Sequence, residues 1–285
     1  MKTYEDKINS GNVSNEKKAT CKHCGQTIQP ENGIIQESLK KNYYFICVEC
    51  NNKHYNYTTT NNKKNNSPKK HNITVSYEFE SMTRDNRLYD YGFLPTSDQT
   101  VAIEWKTPIY QSLNGLSKIF KSIDDLGLIY NSEAVGCHSN TGFVNGFSNS
   151  QYQLLKDFYI IMFQDLSDHL KNNPDKSTKL FGRPLNRWCE PITINSNVLS
   201  HYNYINISHR THLENRVTKF INYRQFMQAT KFNIDCLKCI QKNLFLNYDK
   251  GFSREKLEKK AHVISRKLVK LFNKHYDILV EKEGI

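Results

Sequence analysis

The sequence predicts an α+β fold on two observations. Five stretches alternate polar and apolar residues with the period of two that a strand imposes, near residues 72–80, 100–107, 134–140, 202–207 and 212–218. Four longer stretches, near 112–126, 151–172, 222–245 and 253–282, space their apolar residues as amphipathic helices do. A third observation, two Cys-x-x-Cys pairs near the start, adds a small metal-stapled module.

Residues 1–20 are polar and aperiodic, which predicts a loose terminus. Cys21-Lys-His-Cys24 and Cys47-Val-Glu-Cys50 follow, 22 residues apart, close to the spacing in which two knuckles present four thiolates to one Zn²⁺. Ile34-Ile35 and Tyr43-Tyr44-Phe45-Ile46 supply short strands between them. A module this small buries too little apolar surface to hold without a staple. Disulfides or a redox pair are the alternatives, and an intracellular setting disfavours them. Cys236-Leu-Lys-Cys239 lies in a helical pattern with no second pair, and Cys137 and Cys189 read as packing residues. Residues 58–70, rich in Asn, Lys and Thr, have nothing to anchor a core. The expected organisation is a zinc-ribbon-like module over 1–57, a linker over 58–71, a main domain over 72–250 and a basic amphipathic helix over 251–285.

In Ile73-Thr-Val-Ser-Tyr-Glu-Phe-Glu80, Ile73, Val75, Tyr77 and Phe79 take one face and leave Glu78 and Glu80 side by side on the other. Like charges so placed call for a counterion, and Mg²⁺ suits hard carboxylate oxygens. An isolated Glu-x-Glu is an ordinary solvated strand face, so the weight comes from repetition. In the next strand Val101, Ile103 and Trp105 face inward, while Glu104 shares its side with Lys106. Leu113, Leu116, Ile119, Phe120 and Ile123 then form a helix that stops at Gly127. In Val135-Gly-Cys-His-Ser-Asn140, Gly136, His138 and Asn140 share a face, and the small glycine leaves room for a ligand.

The helix over 151–172 carries Leu154, Leu155, Phe158, Ile161, Met162 and Leu166 and ends before Pro174. Phe181-Gly-Arg-Pro-Leu-Asn-Arg-Trp188 is a basic loop whose Arg183 and Arg187 are candidates for gripping an anionic group. In His212-Leu-Glu-Asn-Arg-Val-Thr218, alternation gathers His212, Glu214, Arg216 and Thr218, and Arg216 can fork onto a phosphate. Asn215 interrupts the opposite, apolar face and needs a hydrogen-bond partner if buried. Phe226, Met227, Ile240 and Leu244 mark the third helix. Leu257, Ala261, Ile264, Leu268, Leu271, Phe272 and Ile278 mark the last, for which core packing is the default.

The net charge of +12 is concentrated at the ends: residues 1–70 carry 12 Lys against 6 acids, and residues 251–285 carry 9 basic against 5 acidic residues. Such flanks attract polyanions or an acidic partner, so nucleic-acid or protein contact through the N-terminal module is expected. No apolar run approaches the roughly 20 residues of a spanning helix, and no secretory signal is present, which predicts a cytoplasmic protein without membrane contact.

Tyr77-Glu-Phe-Glu80, Asp98-Gln-Thr100 leading into Ile103-Glu-Trp-Lys-Thr-Pro108, Gly136-Cys-His-Ser-Asn140 and Leu213-Glu-Asn-Arg216 stand in the order seen in amidoligases. These are the carboxylate-amine ligases related to glutamine synthetase and glutamate-cysteine ligase, and the resemblance covers roughly residues 72–235. It implies a curved antiparallel sheet with helices on its convex side and a concave face for ATP and metal ions. It further implies that Glu78, His138 and Glu214 hold one Mg²⁺, that Glu80 with Glu104 holds another, and that Arg216 meets the transferred phosphate. Arg187 would meet an anionic substrate group, Asn140 would join the substrate and phosphate contacts, and Asp98 would support Glu104. The expected activity is ATP-dependent amide formation through an acyl phosphate, on an amino acid or peptide. Asn215, the lack of a Gly-rich phosphate loop and the fused zinc module depart from the family pattern. A binding module on an inactive ligase-like scaffold and a metal-dependent nuclease are the competing expectations.

Overall fold

A computed structural model of the chain describes residues 73–81, 85–96, 103–111, 113–128 and 136–283, together with the backbone of five strands before them. The chain divides into two compact units, Met1–Lys70 and His71–Ile285. In the first, β1 (Val13–Ser14), β2 (Lys18–Thr20) and β3 (Thr27–Ile28) form an antiparallel sheet, and β4 (Gly33–Glu37) pairs with β5 (Tyr43–Cys47). The strands expected around Ile34-Ile35 and Tyr43–Ile46 are these last two. The zinc expectation rests on Cys21, Cys24, Cys47 and Cys50, whose side chains all lie outside the described residues.

The second unit is α+β, built on an open antiparallel sheet of six strands. They are β6 (Ile73–Ser81), β7 (Leu94–Thr96), β8 (Ile103–Lys106), β9 (Cys137–Phe143), β10 (Ile205–Asn206) and β11 (His212–Asn215), in the order β10-β11-β9-β6-β8-β7. Alternation in β6 sends Val75, Tyr77 and Phe79 into the core, as expected. There they meet helix α1 (Leu113–Asp125), whose Leu116, Phe120 and Ile123 are fully buried. The Phe120 ring lies 5.3 Å from Tyr77 and 4.6 Å from Phe226 between centroids, within the range of favourable edge and offset contacts.

Helix α4 (Tyr223–Ile240) packs on the same face. It begins where the Asn222 side chain accepts from the Gln225 N–H at 2.9 Å, a side-chain cap. Its polar residues match those that the sheet buries. Tyr77 and Thr230 share a hydroxyl contact of 2.6 Å, Asn233 donates to Ser139 at 3.0 Å, and Asn215 donates to Asn233 at 2.8 Å. Asn215 thus has the partner that its burial demands. Its Oδ1 also accepts from the Val217 N–H, at 3.1 Å. That local turn takes up backbone that a ladder would use, so β11 stops at Asn215 where alternation alone predicts a strand to Thr218.

A second core lies among α2 (Asn149–Asn172), α4 and α5 (Arg254–Glu283). Leu155, Met162 and Leu166 of α2 meet Ala261, Ile264, Leu268 and Phe272 of α5, all buried, each large side chain contributing about 1.5–3 kcal/mol. The C-terminal helix, for which core packing is the default expectation, is thus a wall of the main body. Pro174 ends one helix and opens another, α3 (Pro174–Phe181), which periodicity does not announce. Gly182 closes it at φ +94°, and a Cβ there would lie 2.5 Å from the Lys219 carbonyl oxygen, so no other residue fits. Among the described residues, no helix is long and apolar enough to cross a membrane.

Candidate metal centre

The register of the sheet stacks the polar face into three rungs. Thr96, Glu104 and Glu80 are cross-strand partners, as are Lys106, Glu78 and His138, and as are Asn140, Glu214 and Asn206. The odd-numbered neighbours take the other face, Tyr77, Phe79, Trp105 and Cys137 in the aromatic core and Ile205 and Leu213 in a second one, so one alternation makes both the core and the cluster.

His138 sits at the centre, with 5% of its surface exposed. Its Nδ1 lies 3.0 Å from Glu214 Oε1 and 3.9 Å from Glu78 Oε2, and its Nε2 lies 3.4 Å from Glu80 Oε1. Glu214 also accepts from Arg216 Nη1 at 2.7 Å and from Asn206 Nδ2 at 2.6 Å. Glu78 accepts from Asn140 Nδ2 at 3.1 Å and lies 3.5 Å from Lys106 Nζ. Glu104 lies 3.3 Å from the same ammonium and accepts from Thr96 Oγ1 at 2.9 Å, while Glu80 Oε2 accepts from the Gly136 N–H at 2.6 Å.

The electrostatics follow from this crowding. Burial pushes the Glu214 carboxyl up, but its hydrogen bond to His138 and the charges of His138 and Arg216 outweigh that and hold it well below the usual carboxylate range. Glu78 is lowered for the same reason, burial being outweighed by His138 and Lys106. Burial pulls His138 down, but hydrogen bonds to Glu214 and Glu78 reverse the sign and leave it above its ordinary value. His212 carries no such bond to a carboxylate, and burial followed by the nearby His209 takes it down to about 4. The carboxylates around His138 thus favour its protonated form, a positive charge beside those of Lys106 and Arg216.

The same atoms fit a metal ion. One donor atom each from Glu78, His138 and Glu214 falls within 4.8 Å of the other two. Two carboxylate oxygens and an imidazole form a donor set that first-row and hard divalent cations accept. Among the described residues, Asn140 Oδ1, on the same face, is buried without a hydrogen-bond partner, a cost that a cation or its bound water would remove. A divalent ion would also replace the His138 proton as the neutralising charge.

Of the sequence-predicted residues, Glu78, Glu80, Glu104, His138, Asn140, Glu214 and Arg216 come together. Glu80 and Glu104 oppose each other across β6 and β8, each already bound to a protein donor. Arg183 is present too: its guanidinium donates to the Arg216 carbonyl, and a Cβ on Gly136 would lie 3.1 Å from Arg183 Nη2 and 3.0 Å from Glu80 Oε2. The space that Gly136 opens is thus taken up by Arg183 and Glu80, and not left for a ligand. Arg187 is exposed and stacked over the Trp188 ring at 4.9 Å to the centroid. Asp98 lies outside the described residues.

Sequence reasoning missed Thr96, Asn206 and His209, whose Nε2 stands 3.8 Å from Glu214 Oε2. Thr96 and Asn206 lie on strands of three and two residues, too short to show a period. A search against protein-family models, curated proteins and solved structures finds no match to this chain.

Proposed function

We propose that the chain is an ATP- and Mg²⁺-dependent carboxylate-amine ligase of the amidoligase type, acting on an amino acid or peptide in the cytoplasm. The observation that carries this reading is the convergence of Glu78, His138 and Glu214 into one donor set, with Arg216 bound to Glu214 beside it. In the proposed reaction a substrate carboxylate oxygen bonds to the γ-phosphorus of ATP and the bond to the β-phosphate oxygen breaks, releasing ADP. An amine then adds to the acyl carbon, phosphate leaves, and the amine gives up a proton.

Mg²⁺ at Glu78, His138 and Glu214, with a second ion near Glu80 and Glu104, supplies charge neutralisation to the phosphoryl group when bound. Arg216 supplies a guanidinium for the same oxygens, and Arg183 a second one behind it. Neither role needs a nucleophile from the protein. In this reading the N-terminal module binds structural Zn²⁺ and recruits a protein or nucleic-acid partner.

A binding role without turnover is the second reading. It is favoured by the fact that Glu78, Glu80, Glu104 and Glu214 each already have a protein donor or cation. Incubation with ATP, Mg²⁺ and pooled amino acids or peptides separates the two. The ligase reading expects ADP, phosphate and an amide, all lost in Glu80→Ala and Arg216→Ala, whereas retention of nucleic acid or protein without ADP release supports the second reading.

A further inference from the structure

Trp188 is a large aromatic residue that the fold leaves 44% exposed, whereas the other tryptophan, Trp105, is wholly buried. Its exposure is not that of a slack loop. The Trp188 N–H donates to Asn186 Oδ1 at 2.8 Å, and Asn186 and Cys189 exchange backbone hydrogen bonds at 3.1 and 3.3 Å. Glu190 is then bonded in both directions to the 202–204 segment, its N–H to the Tyr202 carbonyl at 2.6 Å and its carbonyl to the Tyr204 N–H at 3.0 Å.

This fixed backbone holds out a cluster of exposed rings. The Arg187 guanidinium lies over the indole at 4.9 Å, the Tyr202 ring is 6.2 Å away at 49°, and His201 meets Tyr202 at 5.4 Å. Tyr202 is 43% exposed and nearby Leu199 47%, so the chain keeps several apolar groups in water along one connection. Arg216 ties this surface to the cluster on the sheet: its Nε donates to the Trp188 carbonyl at 3.3 Å while its Nη1 holds Glu214. The indole is thus one side-chain length from a backbone atom that touches Arg216.

We infer that Trp188, with Arg187 and Tyr202, is the seat of the nucleobase of the nucleotide whose phosphates meet Arg216. The inference rests on the ligase reading. A purine suits this surface because its π-face stacks on indole and its ring accepts a guanidinium, contacts that need no specific edge pattern. It also gives Arg187 a role at the base in place of the anionic substrate group expected of it.

The test uses the full chain with Mg²⁺, titrated with ATP and, separately, with inorganic triphosphate, by tryptophan fluorescence and calorimetry. ATP should quench the emission of the wild type and of Trp105→Phe, and should leave that of Trp188→Phe unchanged. Trp188→Ala should weaken ATP binding by about tenfold, the scale of one stacked base, and leave triphosphate binding unaltered. Arg187→Gln should act in the same direction with a smaller change. Equal ATP affinity in wild type and Trp188→Ala overturns the inference alone, as does an equal loss for ATP and triphosphate. Quenching by an aromatic amino acid but not by ATP overturns it in favour of a substrate seat. A wild type that binds neither ATP nor triphosphate removes the ligase reading and this inference together.

Discussion

Tyr77 and Glu78 are neighbours in β6, and their surroundings part at once. Tyr77 enters a packed group of rings with Phe79, Phe120 and Phe226, where each buried polar atom of Tyr77, Asn215 and Asn233 is matched by a helix or sheet partner. Glu78 enters a group of carboxylates held by Lys106, His138 and Arg216. Burial of rings stabilises whatever the pH or ion content. Buried charges must first repay their desolvation, and their balance shifts with every proton or cation gained. The same strands therefore carry a stabilising face and a conditional one.

The sharpest way to break the comparison is to truncate each face in turn. Phe120→Ala should lower stability by about 3–5 kcal/mol, since a fully buried ring leaves a cavity among six others. Glu78→Gln should lower apoprotein stability by only about 1 kcal/mol while weakening Mg²⁺ or Mn²⁺ binding at least about tenfold. Urea denaturation with metal titration reads both. Similar stability losses for the two variants would mean that the polar face is structural after all.

Glu214→Gln should fall between these, because Glu214 is the buried partner of two cations. Removing it should cost about 3 kcal/mol where His138 is protonated, the lower end for a broken buried pair, and less at higher pH where His138 can shed its proton. A loss that does not vary with pH would show that Arg216 alone depends on Glu214.

The pH profile of the apoprotein sharpens the contrast further. His138 titrates above its ordinary value in the fold, so its contribution is complete below about pH 6.5 and is lost as the pH rises through the raised value. Glu214 titrates far below its ordinary value, so its contribution is present above about pH 4.3 and is lost only as the pH falls through the lowered value. Stability from this face should therefore peak between those limits, and Mg²⁺ should restore it on the alkaline side. Thermal denaturation across pH with and without Mg²⁺ checks this. An identical profile for His138→Gln would remove the histidine from the account.

The candidate site was legible in the sequence to the extent that it lies on strands long enough to alternate. The nine residues of β6 place Glu78 and Glu80 opposite Tyr77 and Phe79 without ambiguity, and Gly136 to Asn140 do the same for His138. Thr96 follows Pro95 in a three-residue edge strand, and Asn206 sits in a strand of two, so neither carries a readable period. Arg183 and Arg187 were equivalent as residues of one basic loop. Only the turn at Gly182 and the pairing of Asn186 with Cys189 turn the first toward Arg216 and the second toward Trp188. The helices followed from apolar spacing except at Pro174, which reads as a stop and serves as a start.

The smallest expected effect lies outside the carboxylate cluster, where α4 meets α5. Asp235 Oδ2 lies 3.2 Å from His275 Nε2, and His275 Nδ1 lies 2.7 Å from Gln228 Nε2. The hydrogen bond to His275 holds the Asp235 carboxyl below its usual value, burial opposing it and Lys238 assisting. A lowered carboxyl stabilises above its unfolded value of about 3.9 and ceases to do so as the pH falls through the lowered one. Asp235 is 30% exposed and shares the charge of Lys238, so solvent screening should keep its contribution below about 1 kcal/mol. Asp235→Asn should flatten the acid limb of the stability profile by that amount and leave metal binding at neutral pH unchanged. A shift in metal affinity would instead show that the helical core reports to the polar face.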